Sequence, residues 1–122
     1  MNFKYLDIFV AISALEIQAL TDFYSQLLQR VPDIHHPGIY SEFKLEKIRI
    51  GIFKPKPERQ SEFENSSSAM SLCLEVEDLN KAIAMLNKLN CPPPGEIIEA
   101  SHGKEIYAYD PAGNRLILHQ AK

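Results

Sequence analysis

The sequence predicts an α+β domain made of two similar halves, each with a strand, an amphipathic helix and three short strands. Strands with one apolar face recur along the chain, and two segments have helical periodicity. The order also repeats, with Ile12-Ser13-Ala14-Leu15 corresponding to Val76-Glu77-Asp78-Leu79. The 122 residues suit one domain with one main core, spanning 1–122.

The first half, about 1–54, begins with a strand predicted over residues 3–12, where apolar and mixed side chains alternate. Its apolar face consists of Leu6, Ile8, Val10 and Ile12. Ser13 and Glu16 fit a capping box, so a helix is expected to follow. The apolar stripe of that helix consists of Leu20, Phe23, Tyr24, Leu27 and Leu28. Pro37-Gly38 is typical of a turn, and a hairpin is expected over 39–46 and 47–54.

Residues 55–68 are rich in proline, serine and charge, which indicates a linker with Phe63 as its apolar anchor. The second half, about 69–122, opens with a strand over 69–76, whose apolar face includes Met70. Asp78 is a candidate N-cap for a helix. The apolar stripe of this helix consists of Leu79, Ala82, Ile83, Leu86 and Leu89. Three strands are expected near 96–100, 104–109 and 114–120, with a tight turn at Asp110–Asn114 between the last two.

The strands share a design in which one face is strongly apolar and the other is mixed. The apolar faces must cover the helices, so the mixed faces point elsewhere. The mixed side chains are Tyr5, Asp7, Phe9, Arg49, Gly51, Phe53, Ser71, Cys73, Glu75, Arg115, Ile117 and His119, with Tyr107 and Tyr109 beside them. Together they would line a cleft with aromatic walls, as in small-ligand pockets. The alternative is that these faces are half-solvated or buried in a dimer.

Two segments resemble the vicinal-oxygen-chelate superfamily, which includes glyoxalases, bleomycin resistance proteins and extradiol dioxygenases. Tyr107–Leu118 contains the D-P-x-G-N turn followed by a closing apolar strand, and Asp22–Leu28 contains the F-Y motif of the first helix. The resemblance covers nearly the whole chain. It implies two βαβββ modules with curved mixed sheets around a cleft, and a homodimer.

Metal-dependent members of that superfamily hold a divalent ion with four side chains on strand faces. Carried over to this sequence, the positions fall on Asp7 (or Tyr5), Gly51, Ser71 and Ile117. Of these, Asp7 is the one good ligand, and a divalent ion needs several N, O or S donors. No cofactor is therefore expected, although a divalent metal held by other residues stays possible.

The residues expected to contact a ligand in the cleft come from the mixed faces. They are Tyr5, Asp7, Phe9, Arg49, Phe53, Cys73, Glu75, Tyr107 and His119. Arg49 would suit a carboxylate or phosphate group, unless it pairs with Glu75 or Asp7. His119 is a candidate general base or a half-solvated edge residue, and Cys73 is expected to be a buried, inert thiol. His35, His36 and His102 are expected at the surface.

Composition excludes several classes of function. The net charge is −3, so a nucleic-acid surface is not indicated, and no apolar run reaches membrane-spanning length. Cys73 and Cys91 lack CxxC spacing, a secretory signal is not expected, and a cytoplasmic protein is expected. Motifs for nucleophilic hydrolysis, dinucleotide binding or zinc proteolysis are absent from the sequence.

Three hypotheses follow. The first is a dimeric glyoxalase/bleomycin-resistance-like protein that binds a small molecule between its modules without metal. The second is a divergent metal-dependent lyase or dioxygenase with a displaced metal site, in which Asp7, Glu75, His119 and His35 or His36 converge. The third is a structural module whose cleft is filled by Phe9, Phe53 and Tyr107. The sequence leaves open whether the chain is an enzyme.

Overall fold

The structure, a computed structural model, describes residue 4, residues 6–64 and residues 69–122. Within these residues each half of the chain forms its own four-stranded mixed sheet with one α-helix. The predicted α+β class and the order strand, helix, three strands are therefore confirmed. No helix in the described ranges is long and apolar enough to cross a lipid bilayer.

The described part of the first half contains four strands and one α-helix. They are β1 (Val10–Ser13), α1 (Ile17–Leu27), β2 (Ile34–His36), β3 (Tyr40–Lys44) and β4 (Arg49–Phe53). The strand order is β1-β4-β3-β2, with β1 parallel to β4 and the other pairs antiparallel. The parallel pair is possible because α1 carries the chain from β1 at one edge of the sheet to β2 at the other edge, and β3 and β4 then return toward β1.

The second half repeats this arrangement. Its elements are β5 (Leu72–Glu75), α2 (Leu79–Lys88), β6 (Ile98–Ala100), β7 (Gly103–Tyr109) and β8 (Arg115–Ala121). The order is β5-β8-β7-β6, again with one parallel pair, β5 with β8. Between the halves, a 3₁₀ helix at Pro57–Phe63 lies within the predicted linker, and the Phe63 ring packs edge-on against Phe53 at 5.2 Å.

The core lies between each helix and the apolar face of its sheet. In the first half Leu20 and Tyr24 of α1 are buried against Ile50 and Ile52 of β4. In the second half Leu79 and Leu86 of α2 are buried together with residues of β8 such as Leu116 and Leu118. The expectation that apolar strand faces cover the helices is thus correct, and the mixed faces are left outside this core.

The first strand is shorter than predicted. Leu6 and Ile8 were placed on its apolar face, but they are 93% and 82% exposed and precede β1. The reason is that a strand needs a neighbour: β4 begins at Arg49, after the turn closed by the Leu45 amide and the Ile48 carbonyl. By the register of the β1–β4 pair, Leu6 and Ile8 correspond to residues 46 and 48, which precede β4, so they have no neighbouring strand.

Three other local predictions are wrong. Ser13 belongs to β1, and the N-cap of α1 is Glu16, which makes no side-chain cap bond in the described structure. Met70 precedes β5 and is exposed, and Cys73 is an exposed thiol because its strand face lies outside the core. The Asp78 cap is confirmed, since its Oδ1 accepts from the Lys81 amide.

The D-P-x-G-N turn forms as predicted and is organised by the Asp110 carboxylate. Asp110 Oδ1 accepts from the amides of Ala112 and Asn114, each at 2.9 Å. Gly113 adopts φ +88°, a left-handed conformation that glycine takes without steric cost. The turn is thereby fixed against β7 and β8, next to the first half of the chain.

Candidate functional site

A cavity of about 860 Å³ lies between the two halves of the chain. One side consists of β1 and the first turns of α1, and the 3₁₀ helix with the residue that follows it contributes residues 60 and 62–64. The opposite side consists of residues 70–72 and of the segment 109–115 that contains the D-P-x-G-N turn. Its volume falls in the range of small-molecule sites, which is about 300–1,000 Å³.

The wall of this cavity, called here the inter-module cavity, combines apolar surface with a few charges. Leu15, Phe63 and Met70 are exposed apolar side chains in it. In the described part of the wall the charged side chains are Glu16, Glu62, Glu64 and Arg115. Three carboxylates and one guanidinium leave the cavity with an excess of negative charge.

Arg115 is held in place at the start of β8. Its Nε donates to the hydroxyl of Ser71 at 2.6 Å, and its Nη2 lies 3.4 Å from the carbonyl oxygen of Met70. These bonds connect the beginning of β8 to the segment that leads into β5. The only guanidinium in the described wall therefore has polar partners of its own, which lowers its capacity to attract an anionic ligand.

The residues predicted to contact a ligand do not lie in this cavity. Tyr5 is outside the described residues, and none of the other eight belongs to the described wall. Their role in binding stays a prediction. The structure instead gathers five of these eight into two polar groups, one on the mixed face of each sheet.

The first group is centred on Arg49. Its guanidinium forms ion pairs with Asp7 and with Glu42, whose Oε1 accepts from Nη1 at 3.1 Å. The guanidinium carbon also lies 4.1 Å from the centre of the Phe9 ring, a cation–π contact. The sequence suggests that Arg49 binds an anionic ligand. Because two carboxylates already face its guanidinium, Arg49 is poorly suited to that role.

Glu42 is a functional candidate that sequence reasoning missed. Its carboxylate is buried and accepts a bond of 2.6 Å from the Tyr40 hydroxyl. That bond, followed by the bond from Arg49, lowers the pKa of Glu42. Burial, followed by the hydrogen bond to the Glu42 carboxylate, raises the pKa of Tyr40 to about 12. A Cβ at position 51 would lie 2.6 Å from the Tyr40 hydroxyl, so Gly51 leaves room for this pair.

The second group is centred on His119 of β8. Its Nδ1 lies 2.8 Å from Glu75 Oε1, and its Nε2 lies 3.0 Å from Nδ1 of His102. Glu105 of β7 is paired with His119 across the sheet. Sequence reasoning nominated Glu75 and His119 but treated His102 only as a surface residue and missed Glu105.

The other predicted contacts are separate from these groups. Cys73 and Tyr107 are exposed on the mixed face of the second sheet, flanking Ile117 on β8. Phe53 is half-buried and packs against Phe63. The proposal that these aromatic side chains fill one cleft finds no support, because Phe9 lies against Arg49, Phe53 packs against Phe63 and Tyr107 is exposed.

The positions that the resemblance assigns to a metal do not fit a divalent ion. Asp7 is paired with Arg49, and Gly51 has no side chain and is covered by Tyr40. Ser71 accepts a bond from the Arg115 guanidinium, and Ile117 is apolar. Two of the four positions thus have a cationic side chain beside them, which opposes a divalent cation by charge repulsion.

Comparison with known proteins places the fold. No protein-family model matches the chain, and no curated protein matches it. Several solved structures match this chain in fold, over nearly the whole length of both proteins. A glyoxalase/bleomycin resistance protein/dioxygenase family enzyme from Burkholderia phytofirmans PsJN has a TM-score of 0.78 and 18% identity, covering 93% of this chain and 97% of its own.

Two further solved structures have the same fold. Lactoylglutathione lyase from Agrobacterium tumefaciens has a TM-score of 0.69 and 17% identity, with 96% of this chain and 94% of the lyase covered. A glyoxalase-related enzyme from Fulvimarina pelagi has a TM-score of 0.70 and 14% identity, with 94% and 88% covered. The chain therefore has the glyoxalase/bleomycin resistance/dioxygenase fold. This confirms, at the level of fold, the vicinal-oxygen-chelate resemblance seen in its sequence.

Proposed function

We propose that the chain binds a small, mostly apolar molecule in the inter-module cavity, without a metal at the four positions discussed above. The cavity itself carries this proposal. It has the volume of a ligand site, exposed apolar side chains such as Phe63, and a few polar groups that can orient a ligand. Solvent-exposed apolar surface in a concavity gains free energy when a ligand covers it.

The charge of the wall favours an uncharged or cationic ligand. Glu16, Glu62 and Glu64 outnumber Arg115, and Arg115 already has polar partners. This proposal replaces the expectation, drawn from the sequence, of an anionic ligand near Arg49, because Asp7 and Glu42 already pair with that guanidinium. An anion in the inter-module cavity would also approach three carboxylates.

The test uses three compounds that share one ring system and differ in charge. They are 1-naphthylmethylammonium, 1-naphthalenemethanol and 1-naphthoate, each added to the full chain while its thermal unfolding is followed. A ligand that binds only the folded state stabilises it by mass action, by about 2.7 kcal/mol at a hundredfold excess over Kd. We expect stabilisation by the ammonium and the alcohol, with less from the carboxylate. No stabilisation by any compound, or most by the carboxylate, would contradict the proposal.

The second candidate is the divergent metal-dependent lyase or dioxygenase. One observation favours it: His102, Glu105 and His119 can bring three ligand atoms within 4.8 Å of one another. None of these residues lies in the described wall of the inter-module cavity. A metal enzyme would therefore have to bind its substrate on the open mixed face of the second sheet. Stabilisation by the naphthalene compounds that requires added metal would favour this candidate over the first.

A homodimer remains part of the proposal. Two features support it: β1 and β5 are each the edge strand of their sheets in the described structure, and Leu6, Ile8 and Phe9 are exposed beside β1. Unpaired strand edges and apolar side chains are features that a second copy can cover. Light scattering coupled to size-exclusion chromatography gives the mass directly. A mass of twice 13.9 kDa is expected, whereas a single-chain mass at all concentrations would reject the dimer.

We also propose a cytoplasmic location. Cys73 and Cys91 are both free, and unpaired thiols are usual in reducing compartments. Fractionation of cells that express the tagged chain tests this directly. Recovery outside the cytoplasmic fraction would contradict it.

A further inference from the structure

The second polar group has the form of a metal site that is separate from the inter-module cavity. Its residues form one row across three strands: Glu75 of β5 pairs with His119 of β8, which pairs with Glu105 of β7. Paired residues project from the same face of a sheet, so the three side chains are neighbours. His102 joins them from the turn that precedes β7.

The row is held by bonds to the backbone as well as between side chains. The Ala121 amide donates to Glu75 Oε2 at 2.9 Å, and the Lys122 amide donates to the His102 carbonyl at 3.2 Å. Gly103 permits the close approach of this turn to β8, because a Cβ there would lie 2.3 Å from the Gln120 carbonyl oxygen. The backbone that carries the two imidazoles is therefore fixed on both sides.

The hydrogen bonds also assign a tautomer to His119. Glu75 Oε1 lies 2.8 Å from Nδ1, so Nδ1 carries the proton and donates it to the carboxylate. In the neutral imidazole Nε2 then carries the lone pair, and it faces Nδ1 of His102 at 3.0 Å. This carboxylate–histidine arrangement is the one by which proteins orient a metal-ligating imidazole and raise its basicity.

The spacing of the two nitrogens suits a metal ion between them. With metal–nitrogen bonds of roughly 2.1 Å, two nitrogens 3.0 Å apart subtend an angle of about 90° at the ion. The ligand atoms of His102, Glu105 and His119 all lie within 4.8 Å of one another, so a carboxylate oxygen can supply the third bond. Two imidazoles and one carboxylate leave the remaining coordination positions to water.

We propose that His102, Glu105 and His119 bind a divalent transition-metal ion, with Glu75 positioning His119. Imidazole ligands select zinc, nickel, cobalt or copper over magnesium and calcium. The site uses none of the four positions that the resemblance assigns to a metal. It also lies away from the inter-module cavity: His119 is four residues beyond Arg115 on the same face of β8, about 13 Å at the usual rise per residue.

A hydrogen bond between the two imidazoles is the alternative explanation of their contact. Their rings stack with centroids 5.1 Å apart, which both arrangements allow. The two explanations differ in a measurable way. If the residues form a metal site, the chain binds about one equivalent of ion and loses that binding when either imidazole is removed. If the imidazoles are only hydrogen-bonded to each other, the chain binds no ion there.

The experiment titrates Zn²⁺ and Co²⁺ into the full chain after treatment with a chelator, by calorimetry and by thermal unfolding. The wild type is expected to bind about one equivalent, and to unfold at a higher temperature when Zn²⁺ is present. The Co²⁺ complex should show visible absorption without a thiolate charge-transfer band, because no cysteine is among the ligands.

The variants locate the ion. His102→Ala and His119→Ala should abolish measurable binding, and Glu75→Gln should weaken it about 10- to 100-fold, as loss of an orienting partner does. His36→Ala is the matched control, because His36 is an exposed histidine on β2, and it should bind like the wild type. His102→Asn provides a milder change at an exposed turn position, and each variant's unfolding transition without metal shows whether it is folded.

Two results would overturn the proposal. One is a wild-type chain that binds no Zn²⁺ or Co²⁺. The other is binding that survives in folded His102→Ala or His119→Ala. The naphthalene compounds provide an independent readout: their binding should be unchanged in His102→Ala, so failure of the metal site and failure of the inter-module cavity can be told apart.

Discussion

The hydroxyl of Tyr24 donates a 2.6 Å hydrogen bond to Oδ2 of Asp110, and this bond joins α1 of the first half to the D-P-x-G-N turn of the second. Both side chains are buried, and burial, followed by the nearby carboxylate, raises the pKa of Tyr24. The turn therefore fixes a strand connection and also holds the two halves together beside the inter-module cavity, whose wall includes Tyr24.

Removing this hydroxyl should destabilise the whole domain. A hydrogen bond to a charged group contributes about 1.5–3 kcal/mol. Asp110 keeps donors from Ala112 and Asn114, so we expect Tyr24→Phe to lower the free energy of unfolding by about 1–2 kcal/mol. Urea unfolding measures it. Tyr109→Phe, which changes an exposed tyrosine, is the control, and equal effects of the two variants would contradict the role given to Tyr24.

The turn itself depends on the left-handed conformation of Gly113. No atom lies within 4 Å of a Cβ built there, so Gly113→Ala tests conformation without a steric clash. The left-handed region costs other residues about 1–2 kcal/mol, and we expect that loss in the free energy of unfolding. Gly95→Ala is the matched control, since Gly95 also has open space but no left-handed φ; it should be neutral or slightly stabilising. A neutral Gly113→Ala would show that the turn tolerates another conformation.

Glu42 should make stability depend on pH in the acid range. Its pKa is lowered in the folded state, so its contribution is present above the unfolded value of 4.5 and is lost as the pH falls through the folded value. Glu42→Gln removes this titration. The difference in the free energy of unfolding between wild type and variant should therefore shrink as the pH is lowered from about 7 to about 3. If the difference in the free energy of unfolding stays constant across that pH range, Glu42 stabilises the fold by packing and not by its charge.

The negative wall of the inter-module cavity predicts a charge effect on ligand binding. Glu62→Gln should weaken binding of 1-naphthylmethylammonium about twofold, because exposed charges several ångströms apart interact weakly in water. The same variant should leave 1-naphthalenemethanol unaffected. Glu77→Gln, an exposed carboxylate outside the described wall, is the control. Equal effects of Glu62→Gln on both compounds would mean that the carboxylate acts by shape and not by charge.

Sequence patterns predicted the fold because its determinants are local. Alternation along β4 and β8, the stripes of α1 and α2, and the turn at Asp110–Asn114 each depend on residues close together in the chain. The same patterns failed at Leu6, Ile8 and Met70, where alternation continues but the neighbouring strand has ended. The extent of a strand depends on its partner, which a single segment does not reveal.

The polar groups were partly predictable. Once the turn at Asp110–Asn114 is known, residues at equal distances on either side of it must pair, which places Glu105 beside His119. That step would have found the row on the second sheet. The buried Glu42 and the wall of the inter-module cavity depend on how elements distant in sequence pack together, and no local pattern in the chain indicates them.

The central claim is that a ligand occupies the inter-module cavity, and filling that cavity tests it most directly. Ala19 of α1 is exposed and belongs to its wall, whereas Ala84 is an exposed alanine of α2 outside the described wall. Titration calorimetry of 1-naphthylmethylammonium should show binding to the wild type and to Ala84→Trp, and at least about a tenfold loss in Ala19→Trp, equivalent to 1.4 kcal/mol. Binding that is equal in the two tryptophan variants would contradict the claim.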